Sequence, residues 1–524
     1  MVKRPDPGID RGSLPRPNSD DTPMKRPVAR LALLFLLCPL FVRAAEPLPN
    51  LILMMGDDHG WEETGYNGHP HVKTPVLDEM AATGLRLDRF HSGHPSCSPT
   101  RASYLTGRHP NRMGTFAPGW SFRPEEITVA HLAAKAGYRC GHFGKWHVGA
   151  VKKESPVGPL AMGFHECLSH DNFFELNPSF SRNGGPPEVF RGESSAILID
   201  ETIRFLDRAN AEGKPFLAVV WFGSPHEPYQ GLPEDLSLYD ELPAEYPDKL
   251  VSLTSNETGG PVKRPLGEVL RERYAEITAM DRAIGTLRKH LAESGLREKT
   301  LLFYCGDNGT SPDGYLKSPH RGKKADFYEG GTRVPGLIEW PARFPKPVAT
   351  PLRASTSDLL PTVAAITGTP LPDRPLDGID LMPLLAAGTK ERPSPLFFWG
   401  YDIPVLSARN PGPYLDPELQ KGTTPLVKKV GGIATRNFDN RKFPGITEAD
   451  FGGSRSIIDG RYKLLIQERK KGEARRELFD LEADPAETKN LAAEKPEVYE
   501  ALAAKLRAWQ DSVLHSLTGA DYVK

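Results

Sequence analysis

Between residues 51 and 305 short apolar runs of strand length alternate with longer amphipathic runs of helical period, and that alternation admits few folds. The strand-like runs cover 51–55, 85–90, 138–143, 216–222 and 300–305; the helical ones cover 76–83, 127–136, 196–209 and 266–292. Strands alternating with helices predict an α/β fold, a largely parallel central sheet flanked by helices. Such sheets bind ligands beyond the carboxyl ends of their strands. Polar residues gather at three of those ends: Gly56-Asp57-Asp58, Ser224-Pro225-His226 and Gly306-Asp307-Asn308.

From about residue 392 the texture changes. Short strand-like pieces at 396–399, 456–458 and 461–467 are separated by Gly and Asp turns, and Asp459-Gly460 is a hairpin signal. A closing helix over 496–514 places Leu502, Leu506, Trp509 and Val513 on one face. The expected organisation is an N-terminal extension with a signal peptide (1–45), an α/β domain (46–391) and a smaller antiparallel subdomain with a terminal helix (392–524).

Lys25, Arg26 and Arg30 precede the apolar run 31–42, and the small residues Ala44 and Ala45 follow it, the pattern of an export signal cleaved near Ala44 or Ala45. Translation from Met24 would give that signal a compact Met-Lys-Arg start. Twelve apolar residues broken by Pro39 are short for a bilayer, so an exported protein, periplasmic or secreted, without a stable membrane span is expected. Leu37 and Pro39 around Cys38 speak against a lipoprotein anchor.

A formal net charge of -1 over 524 residues, with 25% charged residues of both signs, leaves no global basic field for nucleic acid. Any selectivity for anions must therefore be local. Of the five cysteines, Cys38 falls in the signal, and the rest make no disulfide framework and no CxxC zinc site. Asp57-Asp58 and Asp307-Asn308 supply hard oxygen ligands suited to Ca²⁺ or Mg²⁺. Asp, Asn and Gly after a strand also make turns, but two such pairs in equivalent settings favour a metal.

The segment Ser96-Cys97-Ser98-Pro99-Thr100-Arg101, continued by Leu105-Thr106-Gly107-Arg108, resembles the C-x-P-x-R signature of the type I, formylglycine-dependent sulfatases of the alkaline-phosphatase-like superfamily. The resemblance extends to Gly144-Lys145-Trp146-His147-Val148-Gly149, to Pro225-His226, and to Lys324 five residues before Glu329-Gly330-Gly331-Thr332-Arg333. It reaches the C-terminal stretches Asp459-Gly460-Arg461-Tyr462-Lys463 and Glu477-Leu478-Phe479-Asp480-Leu481. It implies an enzyme that hydrolyses sulfate esters, a formylglycine made from Cys97 whose hydrate is the nucleophile, and one Ca²⁺. The ligands implied are Asp57, Asp58, Asp307, Asn308 and the group derived from Cys97. It also implies a maturation partner, a formylglycine-generating or anaerobic sulfatase-maturing enzyme.

The chemistry asks for similar residues on its own account. A sulfuryl group in transfer needs cations against its oxygens, which Lys145 and Lys324 can supply. Arg101, one helical turn from Cys97, offers a fork of donors that could hold the nucleophile's hydrate or make a structural ion pair. An alkoxide must receive a proton and a hydrate must lose one; the resemblance assigns these roles to His226 and His147. A sulfated carbohydrate is the expected substrate. Two alternatives remain, a phosphate or phosphonate monoester hydrolase of the same superfamily and an inactive sulfated-glycan-binding protein.

Overall fold

A computed structural model describes residues 48–523 apart from 243–245, 247–248, 256–257, 259, 426–434 and 469–472. The expected export signal, Met24, Cys38 and Asn256 of the sequence Asn256-Glu257-Thr258 lie outside the described residues. In chain order the strands of the central sheet are β1 (Asn50–Gly56), β2 (Leu85–His91), β3 (Arg139–Lys145), β4 (Glu166–His170), β5 (Ser179–Arg182), β6 (Pro187–Val189) and β7 (Phe216–Trp221). A separate hairpin, β8 (Leu250–Thr254) with β9 (Pro261–Pro265), precedes β10 (Thr300–Gly306), β11 (Gly336–Glu339) and β12 (Val348–Ser355), which return to the central sheet.

Its order is β12-β2-β11-β10-β1-β7-β3-β4-β5-β6, and only β11 and β5 run against the others. β1 lies between β10 and β7 and is buried along its whole length. Successive side chains of a strand point to opposite faces, and β1 divides the core accordingly. Leu51, Leu53 and Met55 join a cluster with the helices Cys97–Thr106, Val129–Lys135 and Leu359–Thr367. Ile52 and Met54 join a second cluster with the helices Pro75–Thr83, Ser194–Ala211 and Leu266–Glu293. The result is three layers, α/β/α. No helix among the described residues is long and apolar enough to cross a membrane.

The C-terminal part forms β13 (Leu396–Trp399), the small pair β14 (Lys421–Pro425) and β15 (Thr435–Asn437), and β16 (Arg455–Asp459), β17 (Tyr462–Gln467) and β18 (Arg475–Asp480). β13, β16, β17 and β18 make an antiparallel sheet in that order. The turn between β16 and β17 is Gly460-Arg461, with Gly460 at φ 55°, the positive value that tight hairpins require. One face of this sheet (Ile457, Leu464, Leu478) packs on the terminal helix Pro496–Leu517 through Leu502, Leu506, Trp509 and Val513. The other face (Ile458, Leu465, Phe479) packs on Phe327 and Tyr328.

A buried charge cluster stitches the two sheets together. Lys463 on β17, fully buried, pairs with Glu329 at 3.1 Å and Glu487 at 2.9 Å, and Glu329 also meets His91 at the end of β2 at 3.2 Å. Lys463→Met would leave two buried carboxylates without their cation. It is expected to destabilise the fold by about 3–5 kcal/mol in urea denaturation.

Candidate active site

β1 and β10 are parallel neighbours in register, Gly56 opposite Gly306, so the acidic pairs that follow them emerge side by side. Carboxylate oxygens of Asp57, Asp58 and Asp307 lie within 4.8 Å of one another, and all three residues are buried. The Asp58 amide donates to Asp307 Oδ1 at 2.8 Å, and Asn308 Nδ2 donates to Asp58 Oδ1 at 2.8 Å. Asp58 holds a left-handed backbone, φ 62°, and its carbonyl accepts from Arg273 Nη2 at 2.6 Å.

Three cations from separate elements face these acids. Lys145, the last residue of β3, donates to Asp57 Oδ2 at 2.5 Å, and Lys324 donates to Asp58 Oδ2 at 2.6 Å. Arg101 Nη2 donates to Asp307 Oδ2 at 2.9 Å and lies 3.4 Å from Asp57 Oδ1. Lys145 reaches its place because Gly144 before it turns with φ 105°; a Cβ there would sit 1.9 Å from the Trp221 carbonyl. Lys323, the neighbour in the motif, lies instead over the Tyr315 ring.

Burial works against every charge in this cluster. Even so, Lys145, with His226 and Arg101, holds Asp57 far below the usual carboxylate range, and Lys324, with His226, holds Asp58 down. Burial, followed by the Asp57 charge, pushes Asp307 up to about 8. Two oxygens, Asp57 Oδ1 and Asn308 Oδ1, are buried without a hydrogen-bond partner among the described residues. Buried acceptors left open beside three carboxylates make an all-oxygen donor set that fits a hard divalent cation.

Cys97 opens the helix Cys97–Thr106, and its Sγ shares a 4.8 Å cluster with ligand atoms of Asp57 and His226. A chemically active thiol would be expected to show part of its surface at the floor of a cleft, but Cys97 is 2% exposed because it is packed into this cluster. Burial raises its pKa, outweighing Lys145 and Lys324, so the unmodified thiol is held protonated. Arg101 lies one turn along the helix and directs its Nη groups at Asp307, Asp57 and the Lys145 carbonyl (3.0 Å), so the ion pair is formed, while its Nε is buried without a partner among the described residues. Its guanidinium also stacks over Trp221 at 5.0 Å.

The two histidines stand on different supports. His226 donates from Nδ1 to the Glu227 carbonyl at 2.6 Å, which leaves Nε2 directed towards Asp58 Oδ2 at 3.7 Å, and Phe173 stacks on its ring. Burial, then Lys145, lowers its pKa while Asp58 and Asp57 pull the other way. His147 takes a positive φ of 59°, its carbonyl accepts from Ser98 Oγ at 2.6 Å, and neither ring nitrogen has a partner among the described residues. Burial, then Lys145, keeps it neutral. His59 and His320, close by in sequence, serve the scaffold: His59 binds Tyr304 and the Glu63 carbonyl, and His320 lies edge-on to Trp61.

Sequence reasoning missed Arg273. Its Nε and Nη2 pair with Glu63 at 2.6 and 2.7 Å, while Nη1 donates to the Pro225 carbonyl at 2.6 Å. It thus fixes both the Asp58 turn and the loop carrying His226. A signal existed: Arg273 falls on the apolar stripe Leu266, Val269, Leu270, Ile277, Met280, Ile284 of its helix, where an unpaired charge would be costly.

Residues 49–369 match the family model described as Sulfatase. Arylsulfatase A of Homo sapiens is 34% identical over 375 residues, covering 67% of this chain and 70% of that protein. The Ulvan-active sulfatase of Formosa agariphila is 30% identical, covering 64% of this chain and 65% of that protein. Among solved structures, Ps i-CgsB in complex with k-i-k-neocarrahexaose superposes with a TM-score of 0.68 at 20% identity, over 91% of this chain and 97% of that one, a likeness of fold.

Arg273→Met should cost about 3–5 kcal/mol of stability, since it strands a buried Glu63. In protein that still folds, kcat/KM should fall by roughly 10²-fold through displacement of Asp58 and His226. Urea denaturation and steady-state assays measure the two effects separately.

Proposed function

The chain belongs to the sulfatase family and is a sulfuric ester hydrolase; on that premise we propose that it cleaves a sulfate ester of a carbohydrate with a formylglycine made from Cys97, beside one Ca²⁺ held by Asp57, Asp58, Asp307, Asn308 and the group at position 97. The observation that carries this reading is that Cys97 meets Asp57 and His226, and that Asp57 in turn belongs to a cluster of three buried carboxylates faced by three cations at the carboxyl ends of β1, β10 and β3. A buried thiol whose pKa is raised is a poor nucleophile as it stands, which supports conversion of Cys97. The hydrate of the resulting aldehyde would supply the attacking oxygen. Ca²⁺, when bound, would neutralise charge on the sulfuryl oxygens.

The chain's own groups do the rest. Lys145 and Lys324 place positive charge where it builds on the transferring group. To donate, His226 must carry protons on both ring nitrogens, a state that burial and Lys145 disfavour and that Asp58 and Asp57 favour; a proton taken up from solvent at Nε2 is then weakly held and passes readily to a departing alkoxide. Neutral His147, with both ring nitrogens unengaged, is available to take a proton in the second half-reaction. Arg101 orients the carboxylates. Carbohydrate as substrate class is supported by the Ulvan-active relative and by the neocarrahexaose complex among the fold neighbours. Export, with cleavage near Ala44 or Ala45, and maturation by a formylglycine-generating or anaerobic sulfatase-maturing enzyme complete the proposal.

Sulfate release from a panel of defined sulfated mono- and disaccharides, run beside the matching phosphate esters, tests the reading. Preference for the phosphates, or a Cys97 peptide that keeps its thiol in active enzyme, would overturn it. His226→Ala should depress hydrolysis of sugar sulfates far more than of aryl sulfates, whose phenolate departs unaided. His147→Ala should slow both alike and give a burst of phenol in the first turnover.

Stability against pH offers a further check. Near pH 4–8 metal-stripped protein carries a proton on Asp307 (pushed up to about 8) that the unfolded chain, with a carboxyl near ~3.9, does not. That contribution is full below ~4 and is lost as pH rises towards 8, by up to about 1.4 kcal/mol per unit. Between pH 5.5 and 8 chelated wild type should therefore lose more stability than chelated Asp307→Asn protein, whose position 307 does not titrate, in parallel thermal unfolding.

A further inference from the structure

A second group of cations lies outside the catalytic cluster, where β2 and β12 meet the β16–β17 turn. A cavity of about 190 Å³, the room of roughly six waters at ~30 Å³ each, is lined by Arg89, Arg353, Lys390 and Arg392 together with Glu391 and Glu482. None of these residues belongs to the catalytic set.

Arg89 and Arg353 are register partners on adjacent parallel strands, so their side chains stand next to each other on one face of the sheet. Like charges so placed repel. Arg353 is 6% exposed; its Nε donates to the Gly460 carbonyl at 3.2 Å, but Nη2 has no partner and no carboxylate pairs with it among the described residues. Burial lowers its pKa to about 10, Arg89 and Arg333 adding to the fall and the nearby Glu329 and Glu482 offsetting it only in part. Arg392 is forked onto Asp358 at 2.7 and 2.8 Å with its side chain 3% exposed, yet its Nε also lacks a partner.

The acids present do not close the account. Glu482 lies 3.8 Å from Arg89 and 4.0 Å from Arg461, at the outer limit of an ion pair, and Glu391 is exposed at the rim. A like-charged cross-strand pair bordering one small cavity, with the exposed Lys390 at its rim and two further guanidinium nitrogens buried behind the lining without partners among the described residues, describes a receptor for an anion.

We propose that this cavity is a non-catalytic site for a tetrahedral oxyanion, received between Arg89 and Arg353 with Lys390 at its mouth. The oxyanion has two sources, free sulfate or a sulfate group carried on a longer saccharide. Only the second rests on the carbohydrate reading above. The volume admits the oxyanion and a few waters, so a saccharide would insert its sulfate group and leave its rings outside.

Calorimetric titration of the full-length protein with sodium sulfate, ionic strength held by chloride, tests the free-ion source in wild type, Lys324→Ala, Lys390→Ala and Arg353→Met. Titration of Cys97→Ala protein, alone and combined with Lys390→Ala or Arg353→Met, with a sulfated oligosaccharide tests the other. Sulfate binding that survives Lys324→Ala, weakens about tenfold in Lys390→Ala and is lost in Arg353→Met is the expected result for free sulfate. The same dependence seen only with the oligosaccharide assigns the site to the saccharide. Aryl sulfate turnover should be unchanged in Lys390→Ala in both cases. Affinities for both ligands that do not respond to Lys390→Ala or Arg353→Met would overturn the proposal; if Arg353→Met does not fold, the exposed Lys390 position decides alone. Because Lys324→Ala disables turnover without touching this cavity, failure of the catalytic reading and failure of this one remain distinguishable.

Discussion

Asp57, Asp58 and Asp307 repel one another across a few ångströms of protein, and much of the architecture answers that repulsion. At an effective dielectric of about 20, two unit charges 4 Å apart interact by ~4 kcal/mol, so three buried carboxylates would not stay together unaided. Lys145, Lys324 and Arg101 each bond a different one. They come from the end of β3, from the loop before Glu329 and from the helix that Cys97 opens. The strand order β10-β1-β7-β3 is what brings the first of these within reach. An open oxygen on Asp57 and another on Asn308 mark where the cluster still lacks positive charge.

Around this centre lies a shell of charges with no part in the chemistry. Arg273 and Glu63 hold the backbone of Asp58 and Pro225 from beneath, and Trp221 gives Arg101 an aromatic floor. Farther out, Glu329, Lys463, Glu487 and His91 tie the antiparallel sheet to the end of β2. Sequence blocks more than a hundred residues apart, one around Glu329 and one around Lys463, are thus halves of a single buried ion pair. The smaller sheet is bound to the larger by charge as well as by apolar packing.

Much of this was legible in the chain. β1, β7 and β10 announce themselves as apolar runs because burial on both faces leaves no room for alternation, whereas β2 is found by its alternation of Leu85, Leu87 and Phe90 with charged residues. β4 to β6, β11 and β12 do not, since short or edge strands carry mixed residues whose pairing depends on distant partners; β6 is exposed throughout. The acidic pairs could be chosen by their place at strand ends, while Cys97, Lys145 and Lys324, and Lys324 over Lys323, followed from the resemblance to the sulfatase motifs. What spacing could not convey was burial. Cys97, expected to show part of its surface, is enclosed, and Arg101, which the sequence left open between holding a hydrate and making an ion pair, bonds carboxylates. Arg353 and Arg89 seem unremarkable until the register of β12 on β2 sets them side by side.

The enclosure of Cys97 also sets a clock. The charges that act on it include Asp307 and Lys324, which lie more than two hundred residues later in the chain. At synthesis rates of about 5–20 residues per second, position 97 precedes its own cover by roughly 10–45 s. Any enzyme that alters that thiol has this interval, and the time before folding ends, in which to find it as an ordinary stretch of peptide. Once the sheet closes, the unaltered side chain is beyond reach, and a molecule that misses the interval is folded but unconverted. Were Cys97 converted as proposed, the proportion of converted molecules in a preparation would record a race between folding and modification.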